Sequence, residues 1–186
     1  EKKELAEAIA DAIAGRSSRD GASIKKGDYT IVWCSGHLLA LKEPEDYDEK
    51  YSEWSMSQLP IYFPDWEMKI GKSRPKQTNK SERMDEIGKL LQQADLVIHA
   101  GDCDDEGQLI VDEVLRWHHY NGPVKRLNTS DTTAPALHRA LSNMQDNTEV
   151  LQREGWAAYA RSVSDALVGF NLTRAMSVAN QVFLTV

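Results

Sequence analysis

The 186 residues are 41% hydrophobic and carry a formal net charge of −7 at pH 7. A chain of this length and composition can bury a core, so we expect a globular protein with one domain or one domain plus part of another. The negative charge argues against a nucleic-acid platform made of lysines and arginines alone, although acidic side chains that hold a divalent cation can still present positive charge to a phosphate.

The cysteine count indicates a reducing compartment. Cys34 and Cys103 are too few for a disulfide framework and lack the spacing of zinc ligands. No run of residues is typical of a membrane span or a secretory signal. Because the sequence starts with Glu1 and ends with Val186 inside an apolar run, we expect it to be a fragment of a longer protein.

The first part of the chain predicts a helix, a polar loop and a strand. Residues 1–15 form the helix, since apolar side chains recur on one face and Gly15 is a natural stop. Residues 16–27 are polar and indicate a loop or a disordered insertion. Residues 29–33 predict the strand, and Gly36 allows a tight turn after it that places His37 in a strand-end loop. The simpler interpretation of His37 is a surface or hydrogen-bonded loop histidine, and the alternative is a site residue.

Residues 41–68 are irregular and rich in proline and aromatic side chains, and we expect this excursion to pack on the domain surface. A helix is then predicted from Ser81 to Gln93, with Ser81 as its N-cap.

Residues 95–117 read D-L-V-I-H-A-G-D-C-D-D-E-G-Q-L-I-V-D-E-V-L-R-W and predict a buried strand that turns sharply into an amphipathic helix. Alternate residues of an extended turn point the same way, so Asp102 and Asp104 can converge, with Glu106 on the first helical turn. Convergent carboxylates of this kind suit Mg²⁺. The alternative is that they only satisfy backbone N–H groups at the helix start.

After this stretch, residues 124–127 predict a strand, and Ser130 or Thr132 is expected to cap a further helix. Strands that alternate with helices over short connections indicate an α/β fold with a parallel sheet covered by helices. Ligands of such sheets bind at the carboxyl ends of the strands, where the acids and His37 fall. From residue 148 the apolar spacing predicts one long helix, so we place a domain boundary near residue 147.

Taken together, these motifs resemble a known family. The D-C-D-D-E-G run resembles the D-x-D-x-E-G turn of the Toprim domain, a Rossmann-like fold, and E-K at Glu1-Lys2 resembles the pair that opens its first helix. Three further segments resemble the N-terminal part of type IA DNA topoisomerases of the topoisomerase III kind. They are S-G-H-L at residues 35–38, Y-S-E-W-S-M-S-Q-L-P-I at residues 51–61 and A-R-S-V-S-D-A-L-V-G-F-N-L-T-R-A at residues 160–175.

The resemblance implies a Toprim domain over residues 1–147 and the beginning of a helical DNA-groove domain over residues 148–186. It implies that Mg²⁺ is bound by an acidic cluster of Glu1, Asp102, Asp104 and Glu106, and that Lys2 contacts the scissile phosphate. The residues that it assigns to DNA binding are His37, Arg161, Asp165 and Arg174. The implied protein is a bacterial, cytoplasmic, ATP-independent isomerase that acts on single-stranded and negatively supercoiled DNA.

The sequence departs from the family pattern at two positions, since Asp105 stands where the family usually has Arg and Gln108 replaces an acid. The family also has a central strand before the residue matched by Glu1, and its nucleophilic tyrosine lies in a Tyr-x-Arg-Ser/Thr setting far downstream. Tyr159 imitates that setting but lies within a long predicted helix, so we do not expect it to be the nucleophile. The fragment alone is therefore expected to be inactive.

Two other functions remain open at this point. A Toprim primase or nuclease would use the same acids for two-metal phosphoryl transfer, but has no reason to carry the segment at residues 160–175. A non-catalytic DNA-binding module with a decayed site would explain Asp105 and Gln108.

Overall fold

The computed structural model describes residues 2–21, 23–73 and 79–181. The chain divides into two compact units, one formed by Glu1–Leu38 and Ile70–Ala158, the other by Leu39–Lys69 and Tyr159–Val186. The excursion predicted to lie on the domain surface is therefore grouped with the second half of the last helix. The helices and strands predicted from the sequence agree best with the structure in the first unit, which also contains the acidic turn.

The first unit contains helices and strands that were expected from the sequence. These are α1 (Lys3–Ala12), β3 (Tyr29–Val32), α3 (Lys80–Leu91), β6 (Val97–His99) and α4 (Asp105–Trp117). They are followed by β7 (Val124–Arg126) and α5 (Ala134–Ser142), which were also expected, and by the short β8 (Gln145–Asp146). The last helix, α6, runs from Glu149 to Asn180.

Residues 16–27 are not the predicted loop. They form a hairpin of β1 (Ser17–Asp20) and β2 (Ser23–Lys26), and β2 pairs antiparallel with β3. The turn into β3 has Gly27 at a φ of 59°, a conformation that glycine adopts without steric cost. β1 is exposed at every position and β2 contains one apolar residue, Ile24, so neither strand shows the apolar alternation by which a strand is recognised in a sequence.

Two predicted helix caps are also wrong. The N-cap of α3 is Asn79, whose side-chain oxygen accepts hydrogen bonds from the backbone N–H groups of Ser81 and Glu82. The N-cap of α5 is Thr133. In both cases the helix begins within a few residues of the predicted start, which is the usual error of boundaries read from sequence.

The expected parallel pairing is found between β6 and β7, in register from Val97 opposite Val124 to His99 opposite Arg126. β8 then adds to β7 in the antiparallel direction. The fold is α/β as predicted, but its strands are mixed rather than all parallel. β6 and β7 therefore end at one common edge of their sheet.

Helix α1 packs its apolar face into the core of the first unit. Leu5 and Ile9 contact Leu137 of α5, and Ala6 and Ala10 lie against Ile24 of β2 and Trp33, which follows β3. Burial of these side chains removes apolar surface from water and fixes α1 beside the sheets. An apolar cavity of about 220 Å³ lies between β3 and β6, with α1, α3 and α4 contributing to its walls.

The second unit is built around aromatic side chains. It contains β4 (Leu39–Leu41), which pairs with β5 (Met68–Ile70), the short helix α2 (Pro44–Tyr47), and two 3-10 turns at Glu49–Ser52 and Met56–Gln58. Phe63 stacks on Tyr47 with ring centroids 3.9 Å apart, and Trp66 stacks on Phe170 of α6 at 6.2 Å. Across the residues that the structure describes, no helix combines the length and apolar character that a membrane crossing requires.

Candidate functional site

The acidic turn connects the end of β6 to the start of α4. Asp104 is the N-cap of α4, and its Oδ1 accepts a hydrogen bond from the backbone N–H of Gly107 at 2.7 Å. Glu106 lies on the first helical turn, as expected. The helix-capping interpretation is thus correct for Asp104, and an acid at Glu106 also complements the helix dipole, whereas neither effect accounts for Asp102.

Two glycines make this turn possible. A Cβ atom built on Gly101 would lie 2.0 Å from the carbonyl oxygen of Gly107, and one built on Gly107 would lie 2.5 Å from the backbone nitrogen and oxygen of Asp102. These are backbone atoms that cannot move aside cheaply. The G-D-C-D-D-E-G spacing therefore brings the acidic turn against the first turn of α4.

Lys2, immediately before α1, forms an ion pair with Asp102. Its side chain is 56% exposed and that of Asp102 is 32% exposed, so the pair faces solvent. An ammonium group thus lies beside the acids at the edge where β6 ends. Glu1, the other predicted catalytic residue, lies outside the described residues.

His37 joins the strand-end loop to α4. Its Nε2 lies 2.6 Å from Oε1 of Glu106, and its Nδ1 lies 2.9 Å from Oε1 of Glu113. The preceding residues Ser35 and Gly36 have φ angles of 58° and 91°, so the tight turn predicted at Gly36 is confirmed. The predicted hydrogen-bonded loop histidine is also confirmed, and it lies at the acidic turn.

The two carboxylates stabilise the charged form of His37. The hydrogen bond to Glu113 is the largest cause that raises the pKa of His37, to about 8, and Glu106 acts in the same direction. Burial raises the pKa of Glu113, and His37 partly offsets this. Because two carboxylates face one imidazole, we assign the proton to His37 at neutral pH.

A buried polar cluster around His99 lies next to the acidic turn. Burial is the main cause that lowers the pKa of His99 to about 3, so its imidazole is neutral. Its Nδ1 accepts a hydrogen bond from the N–H of Gly101, which leaves the proton on Nε2 to be donated to the carbonyl oxygen of Gln108 at 3.2 Å. Gln108, where an acid was expected, donates from Nε2 to Asp112 and to Asn147.

The sequence did not single out Glu113 or Arg126. Glu113 lies seven residues after Glu106, two turns along the same helix, so the helical period was an available signal. Arg126 ends β7 and is 3% exposed. It lies close to the acidic turn because β7 pairs with β6, and a single sequence does not reveal that pairing.

The other predicted DNA-binding residues lie in the second unit. Arg161 and Asp165 are exposed on α6. Arg174 is only 3% exposed, donates to the carbonyl oxygen of Tyr51 and to Glu45, and lies over the ring of Trp54. These contacts give Arg174 a structural role, and its contact with DNA stays a prediction. The Tyr159 hydroxyl donates to the carbonyl oxygen of Trp66.

The carboxylates of the turn have the hard oxygen donors that Mg²⁺ prefers, and Glu113 retains a buried oxygen, Oε2, without a hydrogen bond. In donor chemistry the residues fit a divalent cation. Nevertheless, within residues 2–21, 23–73 and 79–181 no three histidine, cysteine, aspartate or glutamate side chains are gathered as a preformed metal site.

Comparison with known proteins relates this geometry to a family. Residues 1–149 match the Toprim domain. The chain is 39% identical to DNA topoisomerase 3 of Vibrio cholerae over 183 residues, and 37% identical to DNA topoisomerase 3 of Haemophilus influenzae. In each case the alignment covers 96% of this chain and 27% of the relative. Full-length topoisomerase I from Thermotoga maritima has the same fold over 95% of this chain and 25% of its own length, with a TM-score of 0.63 at 19% identity.

Proposed function

Because this chain belongs to the Toprim domain family, we propose that it supplies the Mg²⁺-binding part of a type IA DNA topoisomerase of the topoisomerase III kind. The full protein cuts one DNA strand, passes another strand through the break and rejoins the ends. Relatives named DNA topoisomerase 3 that match 96% of this chain support the assignment. The chain spans about 27% of their length, so the activity belongs to a longer protein.

The observation that carries the proposal is the ion pair between Lys2 and Asp102 at the end of β6. It places a cationic side chain next to carboxylates that can hold a metal ion, at the edge of the sheet where α/β folds bind ligands. A phosphodiester needs positive charge to bind there, and the acids alone would repel it.

In this proposal Asp102, Asp104 and Glu106 hold the cation together with Glu1. Bound Mg²⁺ supplies positive charge that orients a DNA phosphate near the break. Lys2 contacts a non-bridging oxygen of the scissile phosphate and stabilises the negative charge that develops during rejoining. His37 keeps Glu106 in place through its hydrogen bond, while Arg161 and Asp165 contact the single strand. The longer protein works on DNA in the bacterial cytoplasm.

The test is binding of a labelled single-stranded oligonucleotide, followed by fluorescence anisotropy. We expect weak binding with little sequence preference and strong salt dependence, because phosphate contacts provide most of the affinity. Lys2→Ala removes one phosphate contact, so the negative slope of log K against log salt should become shallower by about 0.7 between about 50 and 200 mM salt.

The matched control is Lys25→Ala, which removes an exposed lysine on β2. It should retain the affinity and salt dependence of the parent protein. If Lys2→Ala also binds like the parent, the assignment of Lys2 to the phosphate is wrong.

A further inference from the structure

Arg126 is the last residue of β7, and its buried guanidinium reaches four backbone carbonyl groups. Nη1 donates to the oxygens of His99 at 3.2 Å, Gly101 at 2.8 Å and Leu127 at 3.0 Å. Nη2 donates to the oxygen of Asp102 at 2.6 Å. One side chain therefore contacts the end of β6, the start of the acidic turn and the residue that follows its own strand, β7.

These contacts extend beyond what the strand pair needs. β6 and β7 already pair through their backbones, and the N–H of Leu127 donates to the carbonyl oxygen of His99 at 3.0 Å. The contacts to Gly101 and Asp102 instead hold peptide groups that follow β6. A buried charge is costly unless it is well hydrogen-bonded, so a simple link between strands does not need an arginine here.

The direction of the carbonyl groups of Gly101 and Asp102 affects the orientation of the acidic side chains. When the oxygens of Gly101 and Asp102 face Arg126, the orientation of their peptide planes is fixed. The side chain of the same residue, Asp102, forms the ion pair with Lys2. Metal-ligating carboxylates depend on such surrounding hydrogen bonds for their orientation, and loss of one commonly weakens metal binding.

We propose that Arg126 is a positioning residue for the acidic turn, whose guanidinium holds the peptide groups of residues 99–102 so that Asp102 and Asp104 are presented to a divalent cation. This inference rests on the proposed function, since it assumes that the turn binds the cation. It assigns Arg126 no contact with DNA or with the metal. A lysine in its place keeps the charge but cannot reach four carbonyl oxygens in the fixed geometry of a guanidinium.

The experiment compares the parent, Arg126→Lys and the control Arg153→Lys, which changes an arginine with a 75% exposed side chain on α6. The first measurement is amide hydrogen exchange without divalent cations. In Arg126→Lys the Gly101 and Gly107 amides should exchange about tenfold faster, while the amides of α1 keep their parent rates, because a local opening affects only its own segment. The control should leave all of these rates unchanged.

The second measurement is calorimetric titration with MgCl₂. We expect Mg²⁺ to bind Arg126→Lys about 10- to 100-fold more weakly than the parent, the usual effect of losing a residue that orients metal ligands. Unchanged affinity, or an equal loss of protection at α1 and at the turn, overturns the proposal. If the parent itself binds no Mg²⁺, the proposed function is wrong, and so is the role of Arg126 toward a cation. The exchange rates still decide whether Arg126 holds the backbone of the turn.

A third measurement covers the case in which Arg126→Lys does not fold. In the NMR spectrum of the parent protein, the Nη protons of a guanidinium held by four carbonyl groups should give separate, slowly exchanging resonances. A single averaged and rapidly exchanging resonance would show that the guanidinium is not held, and would overturn the proposal.

Discussion

His37 is the residue that connects the strand-end loop with two acids of α4. Its ring nitrogens contact Glu106 and Glu113 at 2.6 and 2.9 Å, so one histidine bridges residues two helical turns apart. The contacts raise the pKa of His37 to about 8 from its ordinary value of 6.5. The folded state therefore binds a proton more tightly than the unfolded state, which links stability to pH.

We expect this histidine to make the protein less stable in alkaline solution. The contribution of His37 is fully present below about pH 6.5 and is lost as the pH rises through about 8. Because the His37 side chain is one-third exposed, solvent screening reduces the effect to about 1 kcal/mol of the free energy of unfolding.

Urea unfolding in the presence of a chelator, at about pH 6.5 and about pH 8.5, measures the loss. The parent should lose about 1 kcal/mol, and His37→Gln should lose clearly less. His138→Gln, a control at an exposed histidine of α5, should behave like the parent. An undiminished loss in His37→Gln would show that another group titrates.

At the scale of elements, the junction between β6 and α4 depends on close backbone approach. The distances at Gly101 and Gly107 leave no room for a methyl group. The sequence identified this strand, turn and helix because apolar periodicity and a cluster of acids coincide there. It could not reveal that Arg126 donates hydrogen bonds to the backbone of the turn, because those contacts depend on the register between β6 and β7.

We expect Gly107→Ala to destabilise the protein by about 1–3 kcal/mol, the usual cost of overpacking, because the added methyl group meets the backbone of Asp102. Urea unfolding measures the change. Gly155→Ala is the comparison, since its Cβ would meet its nearest neighbours at 3.3–3.4 Å, which is tight but needs much smaller shifts than at Gly107, and alanine favours a helix. It should destabilise the protein less. Equal stability of Gly107→Ala and the parent would mean that the turn can relax, and the tight junction would not hold.

Helix α6 shows where helical periodicity succeeds and where it fails. The pattern predicted one long helix from residue 148, and α6 runs from Glu149 to Asn180. The helix is continuous through Gly169. Periodicity places Arg174 on a face but does not tell whether that face contacts solvent or, as here, Tyr51 and Glu45.

At the scale of the whole molecule, the sequence predicted the fold class and missed part of the chain's organisation. The α/β class and the parallel pairing of β6 with β7 are confirmed, whereas the hairpin of β1 and β2 was missed although Asp20-Gly21 is a turn signal. The domain boundary near residue 147 stays a prediction. The family match ends at residue 149 and the compact units divide after Ala158, and the grouping of Leu39–Lys69 with α6 depends on long-range aromatic contacts.

The residues of the candidate site also divide into those that the sequence revealed and those that it missed. Its acids and Lys2 could be named from the sequence because they follow a strand end or open a helix, and their assigned roles stay predictions. Of the neighbouring residues that the sequence analysis missed, Glu113 lies two turns along α4 from Glu106, and Arg126 reaches the turn from β7 through strand pairing. The site thus combines residues that a local pattern reveals with residues that only the tertiary structure brings together.

The most direct test of the central claim, that the acidic turn holds a divalent cation, is calorimetric titration of the protein with MgCl₂. The variants are Asp102→Asn/Asp104→Asn and, as a control, Asp28→Asn at an exposed turn. Asparagine caps a helix about as well as aspartate, so the double variant should keep α4 while losing two anionic ligands. We predict that it binds Mg²⁺ at least about tenfold more weakly than the parent, a change of about 1.4 kcal/mol, and that Asp28→Asn binds like the parent. Equal affinity of the double variant and the parent would contradict the account.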